Sequence, residues 1–258
     1  EVRSVRIERV LASNPGPFTG PGTNTWVVGD ESEAVVIDPG PRQRGHEEAI
    51  ASVVGDRDVT AVIVTHTHLD HAPLANPLAA NVDAPALGHA PGPEFDPDVR
   101  LVDGSVVEVA GGRLAVIHTP GHADDHLCFR LGRVMFTGDH IMGGSSVMVE
   151  DLAAYLRSLE RLQDEELDRL YPGHGPEIED PAGVIDWYIA HRLQREKEIF
   201  EAVGSGATTV DQIVDRVYAE VDVSLHPLAA RSVTAHLVKL SDEGVLEFDR
   251  GTGRLVAG

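Results

Sequence analysis

The chain has 258 residues, 42% of them hydrophobic, enough for one large two-layer domain with a small appendage and for a core that needs no covalent staples. Its single cysteine, Cys128, excludes an intrachain disulfide and any zinc site built on several thiolates, and it suits a reducing compartment. With 42 acidic residues against 21 basic ones the formal net charge is −21, so the surface opposes nucleic acid unless a local cationic path, bound metal or screening salt intervenes.

Only Lys197 and Lys239 are lysines, a balance that resembles proteins of salt-adapted (halophilic) organisms, the alternative being an acidic, arginine-rich proteome. Glu1 to Ile7 alternate charged and apolar side chains, and no apolar run reaches the length of a signal-peptide core or a membrane span. A cytoplasmic protein without membrane association is the expectation.

In chain order, Asn24-Thr-Trp-Val-Val28 and Glu33-Ala-Val-Val-Ile-Asp38 flank Gly29-Asp-Glu-Ser32 and predict a hairpin. Residues 44–54 suit a helix, and Ala61-Val-Ile-Val-Thr65 suits a strand covered on both faces. A loop is expected from Pro91 to Pro97, then strands near 105–109, 113–118, 126–131 and 133–137. Leu152, Tyr155, Leu156 and Leu159 recur at helical spacing between Glu150 and Leu162, and Arg169-Leu-Tyr171 reads as a last strand. Two similar halves of strands and helices predict an α/β fold, a helix/sheet/sheet/helix sandwich. Pro181 opens a long helix carrying Ile185, Ile189, Leu193 and Phe200 that ends at the linker Gly204-Ser-Gly206. Beyond it, helical segments at 209–220, 228–230 and 232–243 precede strands at 245–248 and 254–256 around Gly251-Thr-Gly253, the pattern of a winged helix. The domains are therefore expected at 1–204 and 205–258.

The chemistry concentrates in Thr65-His66-Thr67-His68-Leu69-Asp70-His71, where the buried strand runs out into a loop. His66 and His68 can converge on one ion while Asp70 and His71 turn toward another; imidazole and carboxylate suit Zn2+, with Mn2+ and Fe2+ as alternatives. A solvated histidine-rich loop would lack distant partners. Here they are present: His122 in His118-Thr-Pro-Gly-His122-Ala-Asp-Asp-His126, Asp139 in Phe136-Thr-Gly-Asp139-His140, and His174 in Tyr171-Pro-Gly-His174-Gly175. Each follows an apolar strand in a glycine-containing turn, which lets the side chain project into a shared cleft. His118 and His140 adjoin these residues and are expected to support ligands rather than bind metal. Asp125 and His126 are read either as a turn and a strand start, the favoured sense, or as supports for ligands and contacts to substrate, and Cys128 as a small core side chain.

In type and order, His66-x-His68-x-Asp70-His71, His122, Asp139 and His174 resemble the motifs of the metallo-β-lactamase superfamily, with its αββα sandwich, over about residues 5 to 200. The resemblance implies two divalent metal ions, the first held by His66, His68 and His122, the second by Asp70, His71 and His174, with Asp139 bridging them. Such ions, about 3.5–4 Å apart, lower the pKa of a shared water to near 7 and stabilise charge on the attacked group, so the nucleophile is hydroxide and no Ser or Cys is required. Asp70 is the candidate to orient that water or accept its proton.

Within the superfamily, the His118–His126 string, the segment Tyr188-Ile-x-His191-Arg192-x-x-Arg195-Glu196 and the trailing winged helix resemble the beta-lactamase-like protein 2 group. That likeness implies an endoribonuclease acting on single-stranded RNA. His191, with Arg192 and Arg195, is then the candidate for phosphate or carboxylate recognition, against a plain helix face pairing with Glu196 and Glu198. The rival reading is a glyoxalase II-like thioesterase or other small ester or lactone hydrolase. A third, a nucleic-acid-binding regulator with a structural metal site, is disfavoured by the complete ligand set. The winged helix carries Arg231, His236 and Lys239 but many acidic residues from Asp211 to Asp249, so packing, homodimerisation or substrate positioning is expected of it rather than sequence-specific DNA binding.

Overall fold

A computed structural model of the chain describes residues 5–144 and 146–255; the expected strand residue Val256 lies outside them. The first sheet takes its strands in chain order: β1 (Arg6–Leu11), β2 (Asn24–Gly29), β3 (Glu33–Ile37), β4 (Asp58–Ile63), β5 (Ala86–Gly88) and β6 (Val99–Arg100). β1 to β3 pair antiparallel and β3 to β6 parallel, with α1 (Arg44–Val54) and α2 (Ala75–Asn81) against the outer face. Strands β7 (Val106–Val109), β8 (Gly112–His118), β9 (Leu127–Leu131), β10 (Val134–Gly138) and β11 (Arg169–Pro172) form the second sheet, antiparallel except for β10–β11. Its outer face packs on α3 (Leu152–Gln163) and α4 (Pro181–Gly204), completing the helix/sheet/sheet/helix sandwich.

Strand alternation explains the layers. In β4, Ala61 and Ile63 join the core between the sheets, while Val62, with Val64 just beyond the strand, joins the core under α1 and α2. All four are buried, which is why the run contains no polar residue. Helix starts follow their caps: the Asp151 carboxylate accepts from Ala154 N–H, and that of Asp180 from Gly183 N–H behind Pro181. The sequence reading does not contain β1, α2, β5 or β6. The last three span seven residues or fewer, too short for a periodic signal, and β1 is an edge strand of mixed charge.

The C-terminal part comprises α5 (Val210–Val217), α6 (His226–Asp242), β12 (Phe248–Asp249) and β13 (Arg254–Leu255). The two segments expected at 228–230 and 232–243 are one helix, because Pro227 sits in its first turn and nothing after it interrupts the apolar spacing. The third helix of the winged unit is the end of α4: Ile199 and Ala202 share a core with Ile213, Val233, Leu237 and Phe248. That core therefore begins before residue 205. α6 packs against α3 and α4, with His236 buried and Lys239 bonded to Glu196 and Glu243 at 3.0 Å each. No helix among the described residues is long and apolar enough to cross a membrane.

Candidate metal centre

β3 and β4 run parallel, so their C-terminal ends lie side by side, and the residue that follows β3 governs the loop that follows β4. Asp38 is that residue. Its carboxylate accepts from Thr65 N–H (2.7 Å) and Thr65 Oγ1 (2.7 Å) and pairs with His71 Nδ1 (2.9 Å), binding both ends of the His66–His71 loop. Asp38 adopts a left-handed backbone conformation (φ 50°) and is buried, and its carbonyl accepts from Thr25 Oγ1 (2.6 Å). Sequence reasoning missed it; the available signal was a carboxylate closing the apolar run Ala34–Ile37.

The structure brings all seven expected ligands together in two groups. His66, His68 and His122 form one, Asp70, His71, Asp139 and His174 the other, and within each the donor atoms lie within 4.8 Å of one another. The outward ring nitrogens show how the imidazoles are oriented. His122 Nδ1 bonds the Met148 carbonyl (2.7 Å), His174 Nδ1 the Gly22 carbonyl (3.1 Å) and His71 Nδ1 the Asp38 carboxylate. Those partners only accept, so Nδ1 carries the hydrogen. Thr65 Oγ1 gives its own hydrogen to Asp38 and therefore accepts from His66 Nδ1 (3.0 Å). In each of these rings Nε2 is left to face inward.

Inward, His66 Nε2 and His122 Nε2 each lie 3.0 Å from His68 Nδ1, and His71 Nε2 lies 3.2 Å from His174 Nε2. Asp70 Oδ2 is 3.1 Å from His174 Nε2, and the two Asp139 oxygens face different groups: Oδ1 is 3.3 Å from His71 Nε2, Oδ2 3.7 Å from His122 Nε2. Asp139 Oδ1 is buried and makes no hydrogen bond among the described residues. Acceptor atoms converging this closely repel one another unless positive charge lies among them.

Electrostatics distinguishes the groups. Burial, reinforced by neighbouring imidazoles, pushes His66 and His68 down, so both stay neutral. Burial also works against the charged forms of His71 and His174, but the Asp139, Asp70 and Asp38 carboxylates outweigh it, holding His71 well above its ordinary range and raising His174 to about 9. Burial alone would raise Asp70 and Asp139; the facing imidazoles instead hold both far below the usual carboxylate range. One group offers the neutral imidazoles of His66 and His68, the other gathers two carboxylates that favour positive charge beside them, and together they fit a pair of divalent ions.

Close approach requires glycine at two turns. A Cβ on Gly138 (φ 47°) would meet Thr65 Oγ1 at 2.6 Å and His126 Nε2 at 2.7 Å, and one on Gly173 would meet Asp139 Oδ1 at 2.5 Å. Asp125 and His126 do more than form a turn and a strand start: Asp125 Oδ2 accepts from Thr67 N–H (2.9 Å) and His126 Nε2 from Asp139 N–H (3.2 Å), so both hold ligand-bearing backbone. His140 does less than expected, since neither ring nitrogen has a hydrogen-bond partner among the described residues and the ring packs on Tyr155 (4.8 Å). His118 bonds the Asp124 carbonyl (2.8 Å) and stacks on His89 rather than on a ligand. Cys128 is buried, as expected.

The groups open onto a cavity of about 580 Å³, reached by His122, Asp139 and His174. Its walls include Leu11, Phe18, Met142, Met148 and, from α6 of the C-terminal part, Leu228; among the described residues Arg9 is the only Arg or Lys that lines it. His191 does not line it: the ring stacks on Trp187 at 5.0 Å. Arg195 bonds Glu198 (2.8 Å) and the Val217 carbonyl (3.1 Å) and lies over Tyr218, the helix-face alternative rather than anion recognition. Arg192 is buried and bonds Ser146 and Val147 instead.

The family model of the metallo-beta-lactamase superfamily matches residues 18–174, and that of the beta-lactamase associated winged helix domain matches residues 209–253. The chain belongs to the metallo-β-lactamase superfamily and is a hydrolase of that fold. Over 260 residues it is 38% identical to an atrochrysone carboxyl ACP thioesterase of Aspergillus chevalieri, covering 95% of this chain and 83% of the relative. Over 267 residues it is 32% identical to a beta-lactamase-like protein 2 homolog of Drosophila melanogaster, covering 94% and 90%. A metallo-beta-lactamase family protein from Thermus thermophilus shares the fold over 98% of both chains, with a TM-score of 0.81 at 23% identity.

Proposed function

We propose that the protein hydrolyses an ester or thioester of an apolar acyl group at two divalent cations, Zn2+ by preference of the donor set. His66, His68 and His122 would hold one, Asp70, His71 and His174 the other, with Asp139 between them. The cavity carries this reading: among the described residues Leu11, Phe18, Met142, Met148 and Leu228 face it with a single arginine. Apolar walls with few polar groups suit a small acyl substrate. Tracking RNA calls for a cationic groove with repeated aromatic platforms, and a net charge of −21 works against a polyanion. The thioesterase relative supports the same direction.

Cations in this centre would supply an acidified water and positive charge opposite the attacked carbonyl oxygen. The chain's own residues prepare the rest. Asp38, the Gly22 carbonyl and the Met148 carbonyl keep His71, His174 and His122 in the tautomer whose Nε2 faces inward. Asp70, whose side chain is 28% exposed where Asp139 is 9%, would be the carboxylate to accept a proton from the attacking water. The apolar walls bind the acyl group and exclude bulk water.

Single-stranded RNA is the second reading, favoured by Phe18 and Arg9 among the residues lining the cavity, enough to stack one base and pair one phosphate, and by the likeness to the beta-lactamase-like protein 2 group, which implies that substrate. A side-by-side assay separates them: metal-loaded protein on S-lactoylglutathione, hexanoyl and decanoyl pantetheine, and end-labelled single-stranded RNA, with Asp139→Ala as control. Thioester turnover that disappears in the variant supports the proposal; RNA cleavage with every thioester intact overturns it.

A further inference from the structure

Three side chains from the helices behind the metal centre grip one stretch of chain. Tyr155 of α3 donates its hydroxyl to the His140 carbonyl (2.7 Å). Tyr188 of α4 accepts from Met142 N–H and donates to the Met142 carbonyl, both at 3.3 Å. Arg192, one helical turn further on, donates to Ser146 Oγ (3.3 Å) and to the Val147 carbonyl. The stretch leaves the centre at Asp139 and returns at Met148, whose carbonyl takes the His122 Nδ1 hydrogen (2.7 Å). Along the way Met142, Ser146 and Met148 line the cavity. Among the described residues no helix or strand lies between β10 and α3, so apart from the bond of Gly143 N–H to the His174 carbonyl (3.1 Å) it is largely side-chain bonds that set its course.

Arg192 is an expensive way to fill that position. Among the described residues it has no carboxylate ion pair and its Nε has no hydrogen-bond partner; it is 4% exposed, and its guanidinium lies 5.5 Å from the centre of the Tyr155 ring. Packing alone would be served by Leu or Met without burying a charge. A forked donor that holds a carbonyl and a hydroxyl of the stretch is what those residues could not supply.

We propose that Arg192, with Tyr188, is a positioning residue for the His66–His68–His122 group: it holds the 142–148 stretch so that the Met148 carbonyl keeps His122 Nε2 turned inward. The inference rests on the metal-centre reading and not on the choice of substrate. It also gives a purpose to the Tyr188-to-Arg195 segment, whose arginines the cavity does not use.

The test is titration of the full-length apoprotein with Co2+ against a competing chelator, following bound-ion stoichiometry and the visible spectrum, for the parent and for Arg192→Met, Arg192→Lys and Tyr188→Phe. Arg192→Met is expected to weaken one of the two ions by about 10-fold or more and to alter the Co2+ spectrum, leaving the other ion within about twofold. Arg192→Lys should recover part of the loss, and Tyr188→Phe should weaken the same ion by a few-fold. Should Arg192→Met fail to fold in a thermal melt, the other two variants decide by the same readings. Unchanged affinities and spectra, or equal weakening of both ions, overturn the inference. A parent protein that binds no ion overturns the metal-centre reading itself.

Discussion

The Asp38 carboxylate and the His71 imidazole lie 2.9 Å apart, at 2% and 0% side-chain exposure. Because Asp38 also takes both hydrogens offered by Thr65, one carboxylate holds three buried donors and aims a candidate ligand. Asp38→Ala leaves all three unsatisfied. It is expected to destabilise the fold by about 3 kcal/mol or more and to weaken metal binding roughly 10- to 100-fold, read by urea denaturation and chelator competition. A variant matching the parent in both would show that the loop holds itself.

Cys128 is buried in β9, and burial pushes its thiol up to about 12 despite the Thr119 hydroxyl. A thiol so placed is neither ionised nor accessible at neutral pH. Alkylation by iodoacetamide at about pH 8, followed by mass spectrometry, should be negligible in the native protein and complete in denaturant. Rapid native labelling would mean that β9 opens readily.

Burial, with Arg192 and Lys239 nearby, lowers the His236 pKa below its ordinary 6.5, although the Glu196 carboxylate 3.6 Å from Nδ1 opposes this. As pH falls, the unfolded imidazole takes its proton near 6.5 and the folded one only lower. The unfolded chain binds more protons in that window, so stability present above 6.5 is lost as pH drops below it. The parent should therefore lose more Tm than His236→Gln between about pH 7.5 and about pH 5.5. Equal losses in differential scanning calorimetry would exclude His236 as a contributor.

Leu228 lines the cavity although it belongs to α6. Leu228→Ala should remove about 1 kcal/mol of apolar contact from a long acyl chain, roughly a fivefold rise in KM for decanoyl pantetheine, with little effect on S-lactoylglutathione. Equal effects on both thioesters would argue that Leu228 does not touch the acyl group.

The candidate metal ligands were legible because metal chemistry restricts residue type and because His122, Asp139 and His174 each follow an apolar strand at a glycine turn, a local pattern. The sandwich was legible for the same kind of reason: the doubly buried run in β4 and the helical spacing of Leu152, Tyr155, Leu156 and Leu159 are periodicities of neighbouring residues. Asp38 was not, since Asp-Pro-Gly reads equally well as an ordinary turn and acquires its partners only when β3 pairs with β4. Asp125 and His126 were underrated because the groups they hold, Thr67 N–H and Asp139 N–H, are 58 and 13 residues away.

Residue chemistry and local spacing thus determined the layers, the paired metal-binding motifs and the winged C-terminal pattern. Tertiary structure alone decided that Arg192 grips a loop instead of an anion, that α6 packs on the catalytic unit, and that Leu228 closes a cavity whose other walls begin at Arg9. The difference is physical: periodicity expresses how each element faces the layer it packs on, whereas a hydrogen bond or a cavity wall depends on distances between residues that only the folded chain brings together.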